Sequence, residues 1–212
     1  MADDVPLSTY ALIDLLDAFA SNEPVPGGGS AAALAGAVGV SLLMMAAGLP
    51  KTKTGAPEEA ADLSEAAARL RPLRETLTAM VDQDSDAYRA VLAAFRLPKT
   101  TEAQTGARAG AIQEAMRGAT DVPLETMRVC QQALRGAVIV TRNALRTAHS
   151  DVATGIELLA AASRGSALSI EANLGAITDA AYVSRTRTEC DVLAGDVTAD
   201  ASEARRILGY LP

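Results

Sequence analysis

Residues 24–50, PVPGGGSAAALAGAVGVSLLMMAAGLP, carry three consecutive glycines and then no charged side chain as far as Pro50. An uncharged run of this length admits few structures: a phosphate loop opening a helix, a membrane span, or a helix buried on every side. The phosphate loop lacks the Gly-Lys-Ser/Thr that would reach a phosphate. Its weak match Gly27-x-Gly29-x-x-Ala32 follows a helical pattern instead of the strand a dinucleotide fold requires. A helix of about 20 apolar residues can cross a bilayer, but Ala, Gly and Ser dominate here and contribute little toward insertion. The same small residues suit a buried helix. Gly29, Ala33, Ala37 and Ser41 recur at four-residue spacing with Ala32 and Gly36 beside them, so a second helix can approach closely. Leu34, Leu42, Leu43 and Met45 fill the other directions. The partner is either another helix of this chain or a second copy, for which an isologous dimer is the usual solution. The glycines have two readings. One is a tight turn, which this stretch alone favours; the other is a set of open backbone N–H groups that an anionic or aromatic ligand can approach at a helix start.

The rest of the chain is patterned for helices. Leu12, Leu15, Leu16 and Phe19 predict a short amphipathic helix over 9–20, with Ser8 as its cap. SNEPVPGGG ends it, and Ser30 is the expected cap of the next helix, which runs to about Leu49. From Glu58 to Phe95 a buried stripe runs through Leu63, Leu77, Met80 and Tyr88 to Phe95, with Pro72 expected to kink or divide it. A shorter helix is expected from about Glu102 to Ala119. Asp121 then reads as a fresh cap, with Pro123 in the first turn of a helix ending near Leu145. Ser150 or Asp151 can cap another through EANL, and the tail beyond is helical in pattern. No strand-period run bounded by hairpin signals occurs, so the expected fold is all-α. Residues 1–212 are read as a single domain, an antiparallel helical bundle with a long central helix. With 212 residues one substantial core is possible. Aromatics are only 3% and Trp is absent, so that core must use small and aliphatic side chains at close backbone approach.

A formal net charge of −7 argues against a nucleic-acid partner, which would need clustered Lys and Arg on one face. Cys130 and Cys190 lie far apart without metal-ligand spacing, and His149 is the single histidine, so no zinc site is expected and both thiols read as reduced. The acidic start MADDVPLSTY lacks the basic and apolar regions of a signal peptide, which predicts a cytoplasmic protein with no membrane partner.

Four stretches, in one order, resemble a known family. PVPGGGSAAALAGAVG is similar to the amino-terminal signature of the formiminotransferase-cyclodeaminase / methenyltetrahydrofolate cyclohydrolase family. MVDQDSDAYRAVLAAFRLPKTT resembles its acidic segment and Leu-Pro-Lys turn, ATDVPLE its next helix start, and HSDVATGIELLAAASRGSALSIEANL its Ser-Asp helix; the four stretches run from Pro24 to Leu174, within a resemblance that spans about Ser8 to Ile177. The resemblance implies an all-α homodimer acting on one-carbon folates, with no metal and no cofactor beyond the tetrahydrofolate substrate. It implies either a cyclohydrolase, which opens 5,10-methenyltetrahydrofolate with water to the 10-formyl compound, or a cyclodeaminase, which closes the 5-formimino compound with loss of ammonia. The cyclohydrolase is preferred because no formiminotransferase portion is fused to this sequence. A non-catalytic helical dimer that keeps the family's packing is the reading from another class.

Water attack on a cationic amidine carbon needs a proton acceptor, a proton donor for the departing nitrogen and close placement of the ring system. The resemblance assigns those parts. Asp84 is the leading proton carrier or counter-charge and Asp82 the second; without the resemblance both read as a solvated acidic face. Asp86 is expected to pair with Arg89. Asp151 is a further catalytic or pterin-binding candidate, with Ser150 beside it, although both are also good caps. Gly27, Gly28, Gly29 and Ser30 form the expected ligand loop, and Asn173 matches a family asparagine. Lys99 in LPK is a candidate for a folate glutamate carboxylate, with the alternative of an exposed loop lysine, and Lys51 in PKTKTG is a substrate-binding candidate in a basic cluster that lacks the aromatic residue many relatives carry after it. His149 is read as a surface or cap-adjacent side chain.

Overall fold

The computed structural model describes residues 5–209, which leaves the acidic start at 1–4 outside the described residues. Among these residues the α-helices are α1 (Leu12–Ala20), α2 (Gly28–Ala47), α3 (Pro57–Phe95), α4 (Glu102–Asn143), α5 (His149–Leu174) and α6 (Ala180–Leu208). There is no strand among them, only an isolated bridge between Thr52 and Ala144. The uncharged helix occupies the middle: α2 packs against α3, α4 and α5, with Ala33, Val40, Leu43 and Ala46 fully buried.

Small residues set how close α2 and α5 come. A Cβ on Gly39 would stand 2.8 Å from the Gly155 carbonyl oxygen, and one on Gly155 would stand 2.9 Å from that of Gly39. The close approach therefore uses these two glycines and not the expected line of four. Of that line, Gly29 abuts Asp84 of α3 and Ser41 is exposed. Gly39→Ala is expected to force the helices apart at a cost of about 1–3 kcal/mol, read by chemical denaturation; a loss within experimental error would show that the pair separates freely.

Neither long helix is divided at its proline. α3 continues through Pro72, and α4 continues through Asp121 and Pro123. A proline inside a helix removes one hydrogen bond and costs about 3 kcal/mol. Burial along both helices offsets that cost, through Leu63, Leu70 and Leu77 on α3 and Leu124, Met127 and Leu134 on α4. Three expected caps are also displaced. α1 begins at Leu12 behind a 3₁₀ turn at Leu7–Thr9, and the Ser8 hydroxyl goes to Asp82. α2 begins with Gly27 as cap, so Ser30 lies within its first turn. α5 begins at His149 with Ala148 as cap and no side-chain bond, so Ser150 and Asp151 lie inside the helix. The side-chain caps are Thr101, in a reciprocal box with Gln104, and Asp179.

Asp121, expected as a cap, is the first rung of a ladder between α4 and α6. Tyr182 donates to it at 2.6 Å. One heptad on, Arg128 meets Glu189 at 2.7 Å; Arg135 then reaches Asp196 at 4.0 Å and Arg142 reaches Glu203 at 3.6 Å. Both helices advance seven residues per rung, so they run parallel with one face turned steadily to each other. Each exposed ion pair contributes little; the ladder fixes register, while Val197, Ala201 and Ala204 supply the buried contact.

Candidate active site

Asp84 is carried by α3 to the start of α2. The helices are antiparallel, since Gly29 faces Asp84 while Gly36 faces Leu77. One carboxylate oxygen, Oδ2, accepts the Ser30 amide at 2.8 Å and the Ser30 hydroxyl at 3.0 Å. Ser85 Oγ lies 3.1 Å from Ser30 Oγ. The Ser30 hydroxyl proton is committed to Asp84, so Ser85 is the donor in this pair. The other oxygen, Oδ1, is packed against Gly29 so closely that a Cβ there would overlap the carboxyl group, with even the farther oxygen only 2.8 Å away. Ser30 and Ser85 are fully buried, and burial raises the Asp84 pKa above the ordinary carboxyl value, against the opposing pull of the two Ser30 bonds.

This carboxyl opens on a cavity of about 300 Å³ lined by Gly27, Gly28 and Gly29 on one side, Asp84 and Tyr88 of α3, and Asn173 of α5. Cβ atoms on Gly27 and Gly28 would meet nothing, so their backbone is bare toward the cavity. The apolar pattern of α3 puts Tyr88 in the buried stripe together with Phe95. Instead Tyr88 is 40% exposed and Phe95 is 49% exposed. Asp84 and Tyr88 lie four residues apart and share a face one turn from each other. That spacing was the available signal that Tyr88 belongs with Asp84 and not with the core. Ser85 was missed for the opposite reason: a buried serine one residue from a carboxylate has no sequence signature.

The remaining candidates lie elsewhere. Asp82 points to another groove, where its carboxylate takes the Ser8 hydroxyl at 2.6 Å. Asp86 pairs with Arg89 at 2.8 Å, as its spacing predicts. α2 and α5 are antiparallel, with Ala32 against Gly165 and Gly39 against Gly155. Ser150 and Asp151 therefore sit at the far end of α5 from Asn173, on the order of 30 Å along the helix. Lys51 is exposed in the α2–α3 loop, whose Lys53 amide donates to the Asn143 carbonyl at that same far end. Within one protomer these three lie too far from Asp84 to share a site with it. His149 is there too, held below its ordinary pKa by burial and by Lys53 and Arg146. Lys99 is exposed in the α3–α4 turn, roughly 15 Å or more beyond Asp84 along α3.

The chain is similar to known proteins in both sequence and fold. A sequence profile of the formiminotransferase-cyclodeaminase family matches residues 11–192. A methenyltetrahydrofolate cyclohydrolase of Methylorubrum extorquens is 38% identical over 199 residues, covering 94% of this chain and 93% of that protein. The formimidoyltransferase-cyclodeaminase of Gallus gallus is 27% identical over 87% of this chain but 34% of its own length, so this chain spans about a third of that relative. The crystal structure of a formiminotetrahydrofolate cyclodeaminase from Thermotoga maritima has the same fold, with a TM-score of 0.86 over 96% of this chain and 98% of that one at 20% identity.

Proposed function

The chain belongs to the formiminotransferase-cyclodeaminase family, and on that basis we propose that it is a methenyltetrahydrofolate cyclohydrolase with Asp84 as its proton carrier. The substrate is a flat cation whose bridging carbon, held between N5 and N10, is open to water. Asp84 Oδ2 is occupied by Ser30, so Oδ1 is the oxygen free to take a proton. In the first step water adds to the bridging carbon and gives a proton to Oδ1, forming a neutral tetrahedral adduct. In the second the bond from that carbon to N5 breaks, N5 receives the proton from Oδ1, the adduct hydroxyl loses its own proton to solvent as it becomes the carbonyl, and the carbon remains on N10 as a formyl group with one proton released overall. A carboxyl whose pKa lies above the ordinary range is better matched to returning that proton than an exposed one. The chemistry asks for water and the folate, with no cofactor.

The observation that carries the reading is the half-buried Asp84 carboxyl, held through one oxygen by Ser30 and facing a glycine-walled cavity. Tyr88 offers a face for the ring system, with the bare backbone of Gly27 and Gly28 opposite. The experiment is direct: purified protein is mixed with 5,10-methenyltetrahydrofolate, and loss of its near-ultraviolet absorbance is followed against the spontaneous rate. No acceleration there, with ammonia released from the 5-formimino compound instead, would replace the cyclohydrolase by the cyclodeaminase. Silence with both would sink the reading.

The same proposal includes a homodimer. α1 buries Leu15 but leaves Leu12 70%, Ile13 64% and Leu16 51% exposed, and Val38 and Met45 of α2 are exposed as well. A second copy covering these residues accounts for apolar side chains that this chain leaves in water. Sedimentation should give a dimer at micromolar concentration that the double variant Leu12→Asp/Leu16→Asp converts to monomer; a wild-type monomer would refute it.

A further inference from the structure

Pro123 lies inside α4, at a place where a residue's N–H would close on the carbonyl four positions back, that of Ala119. Proline has no N–H to give. The Ala119 carbonyl is met from another helix instead: Asn173 Nδ2 of α5 donates to it at 2.8 Å. A carbonyl oxygen only accepts, so this contact fixes the two ends of the carboxamide. The nitrogen is turned to α4 and the oxygen is left for something else. Ala119 and Asn173 both line the cavity that holds Asp84.

We propose that Pro123 is a positioning residue: by leaving the Ala119 carbonyl without its helical partner, it anchors Asn173 so that Oδ1 accepts an N–H from the amide-like edge of a pterin. The inference rests on the folate reading above, which supplies the pterin. The edge of that ring presents an amide N–H and an amino group side by side, and both need acceptors when they leave water. Asn173 is suited to this only while its nitrogen is held elsewhere. A freely turning carboxamide would present its NH₂ to the same donors half the time. Pro123 is itself buried, so no surface or turn requirement explains a residue that weakens the helix it sits in.

A proline that is merely tolerated and one that positions Asn173 give opposite results when replaced. Pro123→Ala returns an N–H to the helix, which commits the Ala119 carbonyl along the axis. In either case the melting temperature is expected to hold or rise. Under the proposal the KM for 5,10-methenyltetrahydrofolate also rises about tenfold, the size of one lost hydrogen bond, with a smaller change in kcat. Asn173→Ala is expected to raise KM by a similar factor, and the double variant to be no worse than Asn173→Ala alone, because the proline acts through the asparagine. Calorimetric binding of tetrahydrofolate to the same set gives a readout independent of turnover.

Turnover in the wild type with Pro123→Ala at wild-type KM, or with the two effects multiplying in the double variant, would overturn the proposal and leave the cyclohydrolase standing. Absent turnover combined with tetrahydrofolate binding that weakens in Pro123→Ala only when Asn173 is present would uphold the proposal and reject the reaction. Absence of any folate binding would overturn both.

Discussion

Asp84→Asn is expected to lower turnover of 5,10-methenyltetrahydrofolate by roughly 10²–10⁴-fold, the usual contribution of one positioned proton carrier, with the fold retained. The carboxamide oxygen of Asn can still accept the two bonds from Ser30, so the shape of the site survives. What it cannot do is take a proton from water. The pH dependence follows from burial, which raises the Asp84 pKa. A base must be ionised, so the wild-type rate should climb with pH through that raised value and not through the ordinary carboxyl range. Stability runs the other way. The folded state holds the Asp84 proton more tightly than the unfolded chain, so this linkage favours folding below the ordinary carboxyl pKa and is lost as pH rises through the raised one. Above it the ionised carboxylate weakens the fold, and the neutral Asn variant should melt at the same temperature as wild type or higher. Absorbance kinetics beside thermal melts would check both halves. A variant at wild-type rate would remove Asp84 from the chemistry.

Gly29→Ala is the second large effect. A methyl group here has no space beside the Asp84 carboxyl, and α3 is held in place by Leu77, Met80 and Val81, all buried. The carboxyl must therefore swing out of its seat on Ser30. A displacement of about 1 Å at a reacting group can cost on the order of 10² in rate, so kcat/KM is expected to fall at least that far while circular dichroism remains helical. The pH profile should shift as well, because the group would lose the two donors that oppose its raised pKa. Normal kinetics in this variant would mean that the carboxyl can relocate without consequence.

Much of the fold was legible because helices announce themselves by local chemistry. The uncharged run at 24–50 read as a buried helix because Ala, Gly and Ser stand where a membrane span carries bulkier residues. The misreadings are local rules overruled at a distance. Asp121 followed by Pro123 has the chemistry of a helix start, yet packing along Leu124, Met127 and Leu134 carries α4 straight through. Ser30, Ser150 and Asp151 have cap chemistry, yet each helix starts before them. The α4–α6 ladder emerges when 121, 128, 135 and 142 are set beside 182, 189, 196 and 203. That alignment presupposes two parallel helices, and nothing local in either stretch says that they are.

The same division separates the site from its signature. Residue order alone determined the helical class, the glycine-led core helix and the family likeness, since each depends on side chains close together along the chain, and through that likeness it singled out Asp84 as the leading candidate. It took the packed helices to show that Asp84 and Asp82 face different grooves, that Ser30 serves Asp84 instead of capping a helix, and that Tyr88 is a cavity wall. Packing also separated Asp151, Ser150 and Lys51 from Asp84 by about a helix length, and it joined Asn173 to the gap left by Pro123. These relations depend on which helix lies against which, in what direction and at what distance. Burial, and not spacing in the chain, sets them, so a carboxylate's neighbours and its pKa appear only when the helices have packed.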